Sequence, residues 1–123
     1  MTFEGVAEVS LTGSRLSALG GNAVFISNEA RGVEITANTI VDIGDSGVAV
    51  MGDLLRSTGL GARQFPYNVS VRNNTIREIG RFGKQVSGLF ISTAGFVTAS
   101  DNVISGSPPR CATKAAPFSQ FCV

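Results

Sequence analysis

The chain has 123 residues, a length typical of one domain, and 43% of them are hydrophobic, which is enough for a packed core. Ten Lys and Arg against nine Asp and Glu leave the net charge near zero, so the composition predicts neither nucleic acid nor a membrane surface as a partner. Fifteen glycines and no histidine indicate a turn-rich β protein without the usual general base or the commonest metal ligand.

Targeting signals are not visible in the sequence. No apolar run approaches the roughly 20 residues that a membrane-spanning helix needs. The first residues, MTFEGVAEVS, have neither the basic start nor the apolar run of a signal peptide. The localisation is therefore unknown, and we expect either an intracellular chain or one that lacks its true N-terminus.

A short sequence motif recurs along the chain. Each copy opens with two alternating apolar positions and continues with a polar turn, an aliphatic pair and, in the first three copies, a glycine. The copies cover residues 9–20, 33–44, 69–80 and 97–107, so their starts lie 24, 36 and 28 residues apart. Alternation of this kind predicts strands, and no window shows a helical face of useful length.

A second short alternating run follows each of the first three copies. These runs are NAVFIS at 22–27, SGVAVM at 46–51 and SGLFIS at 87–92. Short strands separated by turns of variable length are typical of a solenoid, in which stacked coils supply the packing that one coil lacks. We therefore predict an all-β, right-handed parallel β-helix of three to four coils over residues 1–107, with coil starts near 9, 33, 69 and 97. Residues 108–123 match no repeat and are predicted to be a C-terminal tail.

One turn position is nearly the same in every copy. The position that follows the first predicted strand of each motif copy is occupied by Ser14, Asn38, Asn74 and Asn102. Asparagine tolerates the left-handed turn conformation, and its amide can hydrogen bond to an asparagine in the coils above and below. We predict that Asn38, Asn74 and Asn102 form a structural ladder, although asparagine is also common in turns generally.

The phrases VEITANTIVDIGDSGVAVMGD and VSVRNNTIREIGRFGKQVSGLFIST resemble the repeats of right-handed parallel β-helix proteins of the pectate-lyase-like superfamily. That superfamily includes polysaccharide lyases, glycoside hydrolases, uronate epimerases and proteins of unknown activity. The resemblance therefore implies the fold, an association with carbohydrate, an extracellular full-length protein and calcium as a conceivable cofactor. The IG-x-x-GKQ-SG stretch and the PPR at 108–110 are similar to a subgroup of larger members, which implies a fragment of a longer chain.

Two turns are longer than the shortest coil requires. Residues 53–68 lengthen one turn and residues 81–86 another, and residues 54–86 hold six cations against one acid. Loops on a rigid scaffold are where binding residues concentrate. We predict that these loops bind an acidic polysaccharide, unless they are simply solvated. The substrate-binding candidates are Arg63, Tyr67, Arg81, Phe82, Lys84 and Gln85.

Two carboxylates are the weak catalytic candidates. Asp42 and Glu78 occupy the same position in successive copies, so stacking would bring them about 5 Å apart, close enough for acid–base work or a cation. The same pair is also explained if each copy of the repeat simply retains an acidic residue at this position, without any catalytic role. Lys84 is the third candidate, because a lyase could use Lys or Arg where histidine is absent.

The outward Ser and Thr residues and the two cysteines give little further indication of function. The outward stripe of Ser and Thr on the first strands suits a hydrogen-bonding face, but a solvent-exposed strand is the simpler explanation. The residues themselves predict no cofactor and no metal, and whether Cys111 and Cys122 pair is left open.

Two classes of function therefore remain. The first is binding or processing of an acidic polysaccharide, with any enzyme being lyase-like or hydrolase-like. The second is a noncatalytic structural or interaction solenoid. Open coil edges are templates for strand pairing, so we also expect self-association.

Overall fold

The computed structural model describes residues 1–52, 65–82, 86–106 and 121–122, with only the backbone described for the last two. These residues contain thirteen strands and no helix. Among them, accordingly, there is no helix with the length and apolar character to cross a membrane. The strands are β1 (Thr2–Glu4), β2 (Ala7–Thr12), β3 (Arg15–Leu19), β4 (Val24–Ser27), β5 (Arg31–Thr36), β6 (Thr39–Ile43), β7 (Val48–Met51), β8 (Tyr67–Arg72), β9 (Thr75–Ile79), β10 (Leu89–Ser92), β11 (Gly95–Ser100), β12 (Val103–Ser105) and β13 (Phe121–Cys122).

The strands form three sheets that run the length of a solenoid. Sheet A has the order β1-β4-β7-β10-β13, sheet B the order β11-β8-β5-β2, and sheet C the order β12-β9-β6-β3. All neighbours pair in parallel except β10 and β13, which are antiparallel. Each coil takes one strand from each sheet, so four coils are stacked. The predicted right-handed parallel β-helix is confirmed.

The register follows the predicted repeat. In sheet B, Val9 pairs with Val33, Val33 with Val69, and Val69 with Val97. The unequal spacing along the sequence is therefore taken up between the strands, and the core columns stay aligned. The sequence did not indicate β1, which starts the first coil before Val9.

Single residues with left-handed backbone conformation lie within the strands of sheets B and C or directly after them. Within the strands, the ladder skips the left-handed residue on both paired strands, so two inward side chains lie three residues apart instead of two. This explains why Ile40 and Ile43 are both fully buried, with left-handed Asp42 between them. The left-handed columns, with φ between 50° and 64°, are Glu8, Gly32, Asn68 and Phe96; Gly13, Ala37, Asn73 and Asp101; and Ala18, Asp42, Glu78 and Gly106.

The asparagine column lies at the corner between sheets B and C. The Asn38 Nδ2 donates to the Asn74 Oδ1 at 3.1 Å, and the Asn74 Nδ2 donates to the Asn102 Oδ1 at 3.0 Å. The predicted reason for asparagine here is wrong in one respect. The left-handed residue of this corner is the one before each asparagine, for example Ala37 before Asn38. Asparagine is needed for its amide, which bonds to both neighbouring coils.

The core lies in the two middle coils. Their inward aliphatic side chains are buried, whereas those of the first coil and of β11 and β12 in the fourth coil are only partly covered. In the fourth coil, Leu89 and Ile91 of β10 are buried as well. The core residues with no exposed surface are Ala23, Val24, Ile26, Ala30, Val33, Ile35, Ile40, Ile43, Val48, Val50, Val71 and Ile76. The predicted boundary at residue 107 lies outside the described residues and stays a prediction.

Candidate functional site

An open groove of about 340 Å³ lies on the outer face of sheet B, and it is called here the sheet B groove. Its floor is one register column, in which Ser10 pairs with Glu34, Glu34 with Ser70, and Ser70 with Thr98. Parallel strands lie about 4.8 Å apart, so this column offers evenly spaced polar groups along the solenoid. The groove is lined by Glu8, Val9, Ser10, Gly32, Glu34, Asn68, Val69, Ser70, Arg72 and Thr98.

The left-handed column at the start of the sheet B strands forms one wall of this groove. Glu8, Gly32 and Asn68 line it in succession. Gly32 has φ +62°, and a Cβ added there would lie 2.5 Å from the Glu8 Oε1. The Glu8 carboxylate therefore lies across Gly32 in the space that a side chain would need.

Charge is distributed unevenly along the groove. Glu8 and Glu34 belong to the first two coils and Arg72 to the third, and all three side chains are exposed. Among the described residues, Arg72 has no carboxylate within ion-pair distance. Its guanidinium has five N–H donors in a planar array that matches a carboxylate or sulfate. The groove therefore has an acidic end and a basic end.

Two aromatic rings lie in the third and fourth coils, outside the residues that line the groove. Tyr67 and Phe96 pack edge to face, with ring centroids 5.0 Å apart and an interplanar angle of 61°. Phe96 follows Asn68 in the left-handed column and is 76% exposed. Tyr67, a predicted binding residue, is half-buried and supports Phe96.

The predicted catalytic pair lies on sheet C, at the corner that leads to sheet A. Asp42 and Glu78 occupy equivalent left-handed positions in successive coils, as the repeat predicted. The Arg81 Nε lies 2.6 Å from the Asp42 Oδ1, so the guanidinium neutralises this carboxylate. Phe82 is 79% exposed and covers Gly44, because a Cβ on that glycine would lie 2.9 Å from the Phe82 ring. The catalytic role of Asp42 and Glu78 stays a prediction.

The remaining candidates fall outside the described residues. They are Arg63, Lys84, Gln85, Cys111 and the side chain of Cys122. Within the described residues, no three Cys, Asp or Glu side chains come close enough to hold a metal ion. Calcium as a conceivable cofactor stays a prediction.

Sequence reasoning did not single out the groove itself. It identified the outward Ser and Thr stripe but favoured an ordinary exposed strand, and it did not consider Glu8, Asn68 or Phe96 as binding residues. A usable signal was present, since each lies one residue before the inward valine that opens the sheet B alternation. Only the structure shows that all three adopt the left-handed conformation and that Glu8 and Asn68 line the groove.

Comparison with known proteins identifies the fold family and nothing narrower. The family model described as "right handed beta helix region" matches residues 1–116. No curated protein and no solved structure matches the chain. Because the match covers most of the chain and the three parallel sheets agree with it, the protein belongs to the right-handed β-helix family.

Proposed function

We propose that this chain binds a polysaccharide strand along the sheet B groove. The observation that supports this most is the register column of Ser10, Glu34, Ser70 and Thr98, which presents polar side chains across all four coils. An extended, hydroxyl-rich polymer can hydrogen bond to such a column at several points. The fold alone would not license a function, so the proposal depends on this groove.

The basic end of the groove determines which chemical groups the ligand would need. Arg72 would bind a carboxylate or sulfate through parallel N–H groups. The exposed Phe96, which continues the left-handed column from Asn68 into the fourth coil, would stack on a sugar ring that extends past the groove lining. Glu8 and Glu34 would repel a densely charged polyanion at the other end. The preferred ligand is therefore a glycan whose acidic groups are spaced apart by neutral sugars.

We propose binding rather than turnover for the described residues. The pairing of Asp42 with Arg81 leaves Oδ1 of that carboxylate engaged. A general base must be within hydrogen-bond reach of the proton that it takes, and the sheet B groove lies on a different sheet from Asp42. An ultraviolet assay for unsaturated uronates should accordingly show no product.

The test is isothermal titration with a neutral glucan, an alternating neutral–uronate glycan and polygalacturonate. Tight binding of the alternating glycan is expected. Arg72→Ala should weaken its binding roughly 10- to 150-fold, the equivalent of a charged hydrogen bond, while leaving the neutral glucan unaffected. Phe96→Ala should weaken both ligands.

Two matched variants control this experiment. Arg77→Ala removes an exposed cation from sheet C, and Phe82→Ala removes an exposed ring outside the groove. Neither should change the affinity. Failure of all three glycans to bind, or an equal loss in the Phe82 and Phe96 variants, would overturn the proposal.

A further inference from the structure

The ring of Phe96 packs on the chain with only a small part of its surface. Its backbone is left-handed, with φ 50°, and the residue is 76% exposed. Stacking of the coils imposes the left-handed backbone but does not select the residue, since the same column holds Glu8, Gly32 and Asn68 in the other coils. A bulky aromatic residue rarely adopts this conformation, and an exposed ring gives up most of the free energy that burial would return. Phe96 therefore contributes little to folding, which favours a role in contact with a ligand.

Gly95, the residue before Phe96, leaves room for two further rings. It pairs with Tyr67 on the neighbouring strand, and a Cβ added to Gly95 would lie 3.0 Å from the Tyr67 Cδ2 and 3.1 Å from the Phe65 Cε2. Gly95 is not one of the left-handed residues, so its backbone conformation does not require glycine. Glycine is needed at this position for space, which the rings of Tyr67 and Phe65 occupy.

Phe65, Tyr67 and Phe96 are called here the aromatic cluster. Phe65 also packs on Gly52, where an added Cβ would lie 2.6 Å from the Phe65 Cβ, so this residue lies against glycines of two coils. Tyr67 packs edge to face with Phe96, with ring centroids 5.0 Å apart. Such a contact orients both rings, because the edge of one is attracted to the face of the other. The orientation of Phe96 thus depends on Tyr67, and that of Tyr67 on the space at Gly95.

We propose that Gly95 is a positioning residue for a sugar subsite formed by the aromatic cluster, an inference that rests on the proposed binding of a glycan in the sheet B groove. The group bound is a neutral pyranose ring of the same glycan, because its C–H groups can pack on the exposed Phe96 while its hydroxyls stay in water. Asn68 lines the groove and precedes Phe96 in the left-handed column by one coil, about 4.8 Å along the solenoid. The subsite therefore continues the groove into the fourth coil.

Tyrosine fluorescence reports on the aromatic cluster directly. Tyr67 is the only tyrosine and the chain has no tryptophan, so tyrosine emission comes from this one ring. Acrylamide quenching of that emission should decrease when the alternating neutral–uronate glycan binds, because a sugar on Phe96 shields the neighbouring Tyr67 ring. Quenching that the glycan leaves unchanged would overturn the proposal.

Gly95→Val tests the positioning role. Valine suits a strand, but its side chain would displace Tyr67 and with it Phe96. We expect unchanged circular dichroism, stronger acrylamide quenching without ligand, and an affinity for the alternating glycan about 2- to 12-fold weaker, the equivalent of one aromatic contact. Gly20→Val is the matched control, because a Cβ at Gly20 would have open space around it, and it should change neither signal. A Gly95→Val variant that is quenched and binds like the native chain would contradict the inference.

Two substitutions of Tyr67 decide the matter if Gly95→Val fails to fold. Tyr67→Leu removes the ring and should weaken glycan binding, whereas Tyr67→Phe keeps the ring and should restore most of that loss. Arg72→Ala separates this inference from the proposed function. If Arg72→Ala weakens binding and the Tyr67 and Gly95 variants do not, the groove binds the glycan and the aromatic subsite is wrong. If no glycan binds the native chain, both proposals are wrong.

Discussion

Replacing Asn74 by alanine is the strongest test of how the coils are held together. The Asn74 amide donates to the Ile35 carbonyl at 2.8 Å and to the Asn102 Oδ1 at 3.0 Å. Its Oδ1 accepts from the Asn38 backbone N–H at 3.0 Å and from the Asn38 Nδ2 at 3.1 Å. The side chain thus bonds to both adjacent coils, and Asn74 is only 1% exposed.

The magnitude follows from the groups left behind. Asn74→Ala leaves the Ile35 carbonyl and the Asn38 backbone N–H without a hydrogen-bond partner, and both belong to buried residues. An unsatisfied buried group costs about 1–3 kcal/mol, so the free energy of unfolding should fall by about 2–6 kcal/mol. Stabilities of small domains are about 5–15 kcal/mol, so this single change approaches the limit of folding.

Urea unfolding followed by circular dichroism measures the effect, with two variants at the ends of the column as controls. Ser14→Ala removes only an exposed 3.4 Å bond to the Thr12 carbonyl and should cost less than about 0.5 kcal/mol. Asn102→Ala leaves the Val71 carbonyl and the Asn74 backbone N–H without their side-chain partner, but at a partly solvated end of the column, and its cost should fall between the two. If Asn74→Ala proves no more costly than Ser14→Ala, the ladder does not stabilise the coils.

Three further changes test packing and surface charge. Gly44→Ala should destabilise the fold by about 1–3 kcal/mol, because its Cβ would fall on the Gly20 carbonyl of the neighbouring coil; Gly20→Ala, with open space around it, should be near neutral in the same thermal melt. Ile76→Ala should cost about 2–5 kcal/mol and Ile76→Val about 0.5–1.5 kcal/mol, since the side chain is fully buried; equal costs would contradict a tightly packed column. Arg81→Ala should cost less than about 1 kcal/mol, because its ion pair with Asp42 is largely exposed, and a double-mutant cycle should show that coupling shrinking in high salt.

The candidate site shows where sequence reasoning fell short. Asp42 and Glu78 could be matched by their repeat position, but the sequence could not indicate that Arg81 takes the Asp42 Oδ1. That contact joins successive coils and depends on how the turn after β9 folds back. Phe96 likewise gains its position from left-handed backbone and from Tyr67, which precedes it by 29 residues and by one coil.

The sequence by itself determined the coil register. Val33 and Val69 are 36 residues apart, yet they pair directly, because strand side chains alternate and a slip of one residue would expose the whole core column. The asparagine column follows for the same reason, since any turn that keeps this register also aligns Asn38 with Asn74. Loop length does not enter this alignment.

Only the tertiary structure decided which residues adopt the left-handed conformation. Ala18, Asp42 and Glu78 share one such column. Aspartate adopts this conformation more readily than most residues, but alanine and glutamate have little intrinsic preference for it. Stacking imposes this conformation, because each coil must adopt the same backbone conformation at this position if the hydrogen-bond ladder is to continue on both sides of it. The antiparallel pairing of β13 and the groove wall have the same origin, because both arise from contacts between coils, which no local sequence pattern encodes.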